Sequence, residues 1–322
     1  MATPSDDKFC FKDLPVDLIR SIFEAAAEDE HKPNWACARV SKAVHSWVAP
    51  RLYRHVFVRD AQILFLLHRT LEPLLKISHP RPEYDFQRVQ HAWRGVQTLH
   101  FGLCKGFNFM LEILSVSSAA SSIVISQWPL EGETDDTKVG VHPVWDILRP
   151  KRLFLPSKHF SPTRRHFRSS DTPMFTNLTH FEMQFVGSHD PSAWEWASLA
   201  GLQNLTHLSI IVHMLVASDV AEALPHLPPS LLAFIVNVCA EWRSNPREII
   251  QRITRGKNGP FDDDRVVVAI DENSYWKEGA VEEGKWDDVL WRNLKFEWRH
   301  ADEGFWAKAD AMISRRREER LR

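Results

Sequence analysis

The chain has 322 residues, of which 44% are hydrophobic and 25% are charged, and its formal net charge at pH 7 is −2. These values are ordinary for a globular protein, and the near-neutral charge excludes a global attraction to nucleic acid or to an anionic membrane. Four scattered cysteines without a CxxC pair and no apolar run of roughly 20 residues argue against a disulfide framework and a membrane span, so we expect a cytoplasmic or nuclear chain.

Residues 1–10 are polar, and we expect them to form a disordered N-terminal tail. The next segment, FKDLPVDLIRSIFEAAA, predicts a helix that Leu14 and Pro15 open, with Asp17 in the first turn, where the helix dipole favours a carboxylate. Apolar side chains recur along it at helical spacing: Leu18, Ile19, Ile22, Phe23 and Ala26. This stripe must be covered by the chain's own core or by a partner.

The stretch CARVSKAVHSWVAPRLY predicts a second helix, which ends at Pro50. Its apolar residues fall on one face of the helix: Ala36, Val40, Val44, Trp47 and Val48. Residues 11–60 therefore predict a small helical module that buries little core alone, and further helices are predicted over 61–95.

An internal repeat of the form L-x-x-[LF]-x-apolar follows. The clearest copies are NLTHFEMQF at 177–185, NLTHLSIIV at 204–212 and SLLAFIVNV at 230–238. Their first anchors, Leu178, Leu205 and Leu231, are 27 and 26 residues apart, within the 20–29 residue period of leucine-rich repeats. Weaker copies and later strands are predicted at 96–101, 123–125, 153–155, 265–270 and 293–298.

The sequence thus predicts an α+β or α/β solenoid, in which a small helical module precedes an irregular leucine-rich-repeat-like array of parallel strands and short helices over residues 61–300. Between the strands it predicts helices at 190–202 and 217–227 and polar loops at 127–143 and 156–173. Residues 301–322 predict a C-terminal helix that caps the last repeat with Phe305, Ala309, Met312 and Ile313 on its inner face.

Alternate strand positions of the repeat point to one face of the predicted sheet. These positions are His180, Glu182 and Gln184 in one copy and His207, Ser209 and Ile211 in the next. His180 and His207 occupy the same slot, so we expect them to be lateral neighbours roughly 5 Å apart. Both a substrate-binding surface and a plain solvated sheet would carry such residues, and the sequence leaves the two open.

The common catalytic signatures GxSxG, HExxH, GxGxxG and GxxxxGK[ST] do not occur in the sequence. Cys37 and His45 are eight residues apart on a predicted helix, which separates them by about 12 Å. His159 and His166, seven residues apart in a polar loop, lack a cysteine or carboxylate at metal-ligand spacing. We therefore expect no catalytic residue, no metal site and no cofactor.

The patterns LPVDLIRSIFEAAA and CARVSKAVHSWVAPRLY occur in the order and at the spacing of an F-box, so residues 11–60 resemble that module, in the style of the large F-box-like families of mushroom-forming fungi. Trp35 stands where the family often places a leucine. The matching positions are Leu14, Pro15, Asp17, Leu18, Ile22, Phe23, Val40, Ser41, Lys42 and Trp47.

The resemblance implies that the module docks onto the adaptor subunit of an SCF-type (cullin-RING) ubiquitin ligase. The adaptor-binding residues would be Leu14, Pro15, Leu18, Ile19, Ile22, Phe23, Val40, Val44 and Trp47. Of these, we expect Leu14, Pro15 and Ile19 to face the partner. We expect the core to take Ile22, Phe23, Val44 and Trp47.

A leucine-rich-repeat array behind an F-box is a standard layout of the family and would hold an unknown protein substrate. The chain would then be a non-enzymatic adaptor, a monomer outside the ligase, without nucleic-acid or membrane partners. The alternative is a regulatory or scaffold repeat protein whose F-box-like module does not assemble a ligase.

Overall fold

The computed structural model describes residues 14–28, 34–75, 83–102, 106–126, 142–157, 166–168, 172–185, 194–212, 222–238, 263–271, 289–292 and 303–322. The chain is an α/β protein with a nine-stranded sheet. It divides into two compact units, one of Met1–Val56 with Arg69–Gln97 and one of Phe57–His68 with Thr98–Arg322. In the described part of the chain, no helix has the length and apolar character needed to cross a membrane.

The first unit is helical. It contains α1 (Val16–Ala27), a 3-10 helix (Cys37–Arg39), α2 (Lys42–Leu52), the second half of α3 (Ala61–Leu75) and α4 (Glu83–Trp93). The elements α1, α2 and the 3-10 helix pack against one another. Their shared core consists of Ala27, Cys37, Val44, Val48 and Leu52, with Phe23, Ala38 and Trp47 packed against it.

The prediction of one continuous helix ending at Pro50 is wrong at both ends. The Ser41 hydroxyl accepts a hydrogen bond from the Val44 amide at 3.1 Å and starts α2 as its N-cap. The helix then continues through Pro50, whose missing N–H leaves the Ser46 carbonyl without its helical donor. His91 of α4 supplies a replacement, since its Nε2 lies 3.1 Å from that carbonyl oxygen.

We expect Ser41→Ala to lower the free energy of unfolding by about 1 kcal/mol, because it removes the N-cap acceptor of α2. Urea denaturation followed by circular dichroism measures the change. Ser41→Asp keeps an acceptor at the same place and should stay close to the wild-type value. Equal stability of the alanine and aspartate variants would show that the cap contributes nothing.

The second unit contains the sheet. All of the described strands except the first half of β1 belong to this unit: β1 (His55–Val58), β2 (Thr98–Phe101), β3 (Ser122–Ile125), β4 (Arg152–Pro156), β5 (His180–Gln184), β6 (His207–Val212), β7 (Ala233–Val238), β8 (Val266–Asp271) and β9 (Val289–Arg292). The strands lie side by side in chain order, and every pair from β2 to β9 is parallel. Parallel neighbours need crossover connections, and those of this sheet include α5 (Phe107–Ser115) and α6 (Val144–Ile147).

The two faces of the sheet differ in composition. One face, here the apolar face, carries the repeat anchors in register, with Leu99, Ile123, Leu153, Phe181, Leu208, Phe234 and Val266 forming one row across seven strands. All seven side chains are buried. The other face, here the mixed face, carries His180, Glu182, His207, Ser209 and the residues in register with them. This alternation explains the L-x-x-[LF]-x-apolar pattern, because each strand contributes its anchors to a single core.

Most of the predicted strands are confirmed, and the described parts of the two helices predicted between them contain 3-10 helices. The segment 190–202 contains a 3-10 helix, Trp196–Gly201, and the segment 217–227 contains another, Leu224–His226. The predicted strand 293–298 and the N-terminal tail lie outside the described residues. The sequence analysis missed β9, which directly precedes that predicted strand.

Phe167 lies in the core, although the segment 156–173 was predicted as a polar loop. Its ring is fully buried, and its backbone amide donates to the Ser198 hydroxyl at 2.7 Å. Beside it, Arg168 forms an ion pair with Glu195, and His166 forms a parallel bridge with the same residue. Because the neighbours of Phe167 in the sequence are polar or charged, the average polarity of the segment did not indicate that it contains a core residue.

The C-terminal helix α7 (Glu303–Leu321) was predicted as a cap on the last repeat. It instead lies against the mixed face of β7, β8 and β9. The predicted inner residues Phe305, Ala309 and Ile313 are buried there, and Met312 is partly buried.

Candidate protein-binding sites

The first half of α1 presents apolar side chains to solvent. Among the described residues of 11–60, five large apolar residues are exposed, and we call them the N-terminal apolar surface: Val16 (63%), Leu18 (47%), Ile22 (41%), Trp35 (49%) and Val40 (60%). Ala27 is the one buried residue of α1. A helix that carries more apolar positions than its inner face needs has a second apolar side.

Contacts at both ends of α1 orient it within its unit. Glu28 pairs with Arg51 of α2 at 2.5 Å and with Arg54 at 3.0 Å. At the other end, the Pro15 carbonyl accepts hydrogen bonds from the Leu18 and Ile19 amides, each at 3.0 Å. Val16, Leu18 and Ile22 are therefore exposed on a well-formed helix.

The nine predicted adaptor-binding residues divide between solvent and core. Exposed positions are Pro15, Leu18, Ile22 and Val40, partly buried ones are Leu14, Ile19, Phe23 and Trp47, and Val44 is buried. The assignment of Ile22 to the core is wrong, because it follows Leu18 on the outer side of α1 at i+4 spacing. Val16 was not predicted from the sequence as part of this surface, and Trp35 was interpreted only as a departure from the family pattern. The signal that could have indicated their exposure is a large apolar residue at the start of a helix or in a loop.

A second site is the histidine pair on the mixed face. His180 of β5 and His207 of β6 are direct partners in the parallel ladder. Their rings are stacked, with centroids 4.3 Å apart and planes within 4° of parallel. The predicted lateral contact is confirmed.

The repeated Thr-His pairs orient both rings in the same way. Thr179 donates its hydroxyl hydrogen to the Lys151 carbonyl at 3.1 Å, and Thr206 donates to the Thr179 carbonyl at 3.0 Å. Each hydroxyl oxygen also lies within hydrogen-bond distance of Nδ1 of the histidine that follows it, at 2.9 Å for His180 and 2.8 Å for His207.

His180 is neutral over the physiological range. Burial, then the neighbouring His207 and Arg152, lower the pKa of His180 from 6.5 to about 3. A neutral ring can stack closely on a second imidazole, whereas two imidazolium rings at this distance would repel each other.

Helix α7 covers the histidine pair. The Trp306 ring contacts both imidazoles edge-on, with centroids 5.4 Å from His180 and 5.2 Å from His207. The Asp310 carboxylate lies 3.2 Å from Nε2 of His207 and accepts a hydrogen bond when that nitrogen is protonated. The sequence analysis missed Trp306 and Asp310, although their i, i+4 spacing places them on one side of a helix.

The six residues predicted for the substrate-binding face do share one face of the sheet, but that face is not exposed as expected, and substrate binding stays a prediction. The register puts His180, Glu182 and Gln184 beside His207, Ser209 and Ile211 on one face. Glu182, Gln184, His207, Ser209 and Ile211 are buried, and His180 is partly buried. The reason is crowding, because this face also carries large apolar residues, such as Phe154 beside Ile211, and part of it is covered by α7.

The stacked rings direct their lone pairs along lines that do not converge, so the pair is a poor metal chelate. Within the described ranges, no group of three or more His, Cys, Asp or Glu side chains could hold a metal ion. The two sites are thus exposed apolar side chains in one unit and, in the other, a sheet face that packs against the chain's own helix α7. In comparisons with known proteins, no family model matches the chain, and neither does any curated protein or solved structure.

Proposed function

We propose that the chain is a non-enzymatic substrate-recognition adaptor of an SCF-type ubiquitin ligase. Its F-box module, residues 11–60, would dock onto the ligase's adaptor subunit, and its leucine-rich-repeat-like solenoid, residues 61–300, would hold a protein substrate. The observation that carries the proposal is the N-terminal apolar surface. The resemblance of residues 11–60 to an F-box suggests which partner the surface binds.

The exposure of this surface is hard to explain without a partner. Leu18 and Ile22 lie one helical turn apart, and each leaves more than two fifths of its side chain in water. Burying such a side chain completely contributes about 1.5–3 kcal/mol, so half-exposed ones retain about 1 kcal/mol each for binding. A cluster of several supplies a useful fraction of a micromolar interaction.

The mechanism is proximity. The adaptor subunit links the chain to the ligase, and a substrate bound by the sheet unit is thereby brought to the site of ubiquitin transfer. The mixed face supports the substrate-binding role, because its histidines and apolar residues already bind a helix. No catalytic group of this chain takes part.

The test is capture of the purified adaptor subunit by the full chain and by Leu18→Asp. The aspartate lies in the first turn of α1, where the helix dipole favours a carboxylate, so the helix persists. We expect at least a tenfold loss of affinity, because the variant puts a charge into an apolar interface. Leu232→Asp is the matched control, since Leu232 is a leucine of similar exposure, 49%, in the second unit.

Retained capture by Leu232→Asp together with loss by Leu18→Asp supports docking through α1. If the folded wild-type chain captures no adaptor, the ligase proposal is wrong and the regulatory or scaffold alternative takes its place. Equal losses in the two variants would contradict the assignment of the surface.

A further inference from the structure

Helix α7 occupies the mixed face as an amphipathic ligand would. Its buried side chains are Phe305, Trp306, Ala309 and Ile313. They pack on a floor made by three neighbouring strands, namely Ala233, Ile235, Val267, Ala269 and Leu290. Every residue of this floor lies on the mixed face.

Polar contacts fix the position of the helix along the strands. Asp310 meets His207, the Arg316 guanidinium donates to the Val266 carbonyl at 2.6 Å, and Arg320 pairs with Asp264 at 3.0 Å. The acidic partner Asp310 is 47% exposed and Arg320 is 55% exposed. Ion pairs that water reaches contribute little to stability, so they orient the helix more than they hold it.

The sheet has a core that α7 does not touch. The apolar face packs the aligned anchor rows, from Leu99 on β2 to Val266 on β8, and α7 packs against none of these side chains. It reaches Val266 only at the backbone carbonyl. The helix is therefore a cover over the opposite face. Its removal would expose a shallow apolar floor beside two stacked imidazoles and would leave the anchor rows packed.

We propose that α7 is a displaceable internal occupant of the substrate-binding face, and that the site accepts an amphipathic helix of a partner protein with an aromatic side chain and, four residues later, a carboxylate. The inference rests on the proposed function and names the chemistry of its substrate. Trp306 and Asp310 define the two features, because the indole meets both histidines and the carboxylate meets His207. A tethered helix acts at an effective concentration near the millimolar range, so an external helix must bind more tightly or wait for release.

The experiment uses the full chain and a fluorescent peptide of residues 303–321. Ala309→Glu places a charge where α7 meets the sheet, since Ala309 is fully buried. Ala311→Glu makes the same change two residues away on the exposed side of the same helix. We expect the peptide to bind Ala309→Glu roughly 10- to 100-fold more tightly than wild type or Ala311→Glu, because only the first variant vacates the face.

Hydrogen exchange supplies the second readout. In Ala309→Glu, amides of α7 should lose protection while those of β5 and β6 keep it. Peptides carrying Trp306→Ala or Asp310→Asn should bind at least fivefold more weakly than the parent peptide. Loss of β5 and β6 protection would show that α7 is an integral part of the fold and would overturn the proposal.

A released helix without peptide binding, or equal binding to all three chains, would also overturn it. Adaptor capture distinguishes this failure from failure of the proposed function. Ala309 lies outside residues 11–60, so Ala309→Glu should bind the adaptor as wild type does whatever the peptide result. Loss of the peptide effect with retained adaptor capture would refute only the helix site.

Discussion

Phe167→Ala should lower the free energy of unfolding of the sheet unit by about 4 kcal/mol. The ring is fully buried and lies among four other aromatic rings, with centroid distances of 5.8 Å to Phe175, 5.9 Å to Phe181, 5.0 Å to Trp194 and 5.8 Å to Trp196. Alanine forfeits the transfer free energy of the ring and leaves a cavity that four large rigid neighbours cannot easily fill.

Urea denaturation monitored by far-UV circular dichroism measures this loss, and the midpoint should shift at nearly constant slope. If the chain unfolds in two transitions, only the one that belongs to the second unit should move. Phe86→Ala makes the same change at a 39% exposed ring on α4 and should lose less than about 1 kcal/mol. A comparably small loss at Phe167 would contradict its role in the core.

The strands were predictable because their signal repeats. Each copy of the repeat places two or three apolar residues on one face of the sheet, so the anchors Leu178, Leu205 and Leu231 recur at almost constant spacing. The same regularity placed His180 beside His207, since equal positions in adjacent copies become ladder partners. Repetition converts a weak local preference into a strong one.

The features that sequence reasoning missed depend on contacts between distant segments. Phe167 is one apolar residue in a basic stretch, and only the rings that surround it in the folded chain show that it is core. The burial of the mixed face depends partly on α7, which joins Asp310 to His207 across 103 residues. No sequence periodicity links positions that are so far apart in the chain. The local pattern could therefore predict helix α7 and its inner side, but not that it packs on the mixed face of the sheet.

Which side of α1 faces the core could not be predicted from the sequence, for a related physical reason. Its sequence is apolar on two sides, and a helix of this kind satisfies either a core or a partner. Phe23 and Ala27 turned out to face the core, while Leu18 and Ile22 face solvent. Helical spacing identifies the sides of a helix but not the neighbour that each side meets.

Acid should destabilise the sheet unit through His180. Its pKa in the folded chain is about 3, whereas the ordinary value of 6.5 applies to the unfolded chain. Between these values the unfolded chain binds the extra proton, so stability is fully present above pH 6.5 and is lost as the pH falls toward 3. The groups around the ring are Arg152 on β4, His207 on β6 and Trp306 on α7, and the two basic ones oppose protonation.

From pH 7 to pH 4 we expect His180 to account for about 2 kcal/mol of lost stability, a value reduced for solvent screening of a partly exposed ring. His180→Gln removes this titration, so its free energy of unfolding should fall with pH by that much less than the wild type's. His226→Gln makes the same substitution outside the stacked pair and serves as the control. Urea titrations at four pH values provide the comparison. Parallel profiles for wild type and His180→Gln would mean that the stacked ring takes up a proton as readily in the folded chain as in the unfolded one, which burial beside Arg152 and His207 should prevent.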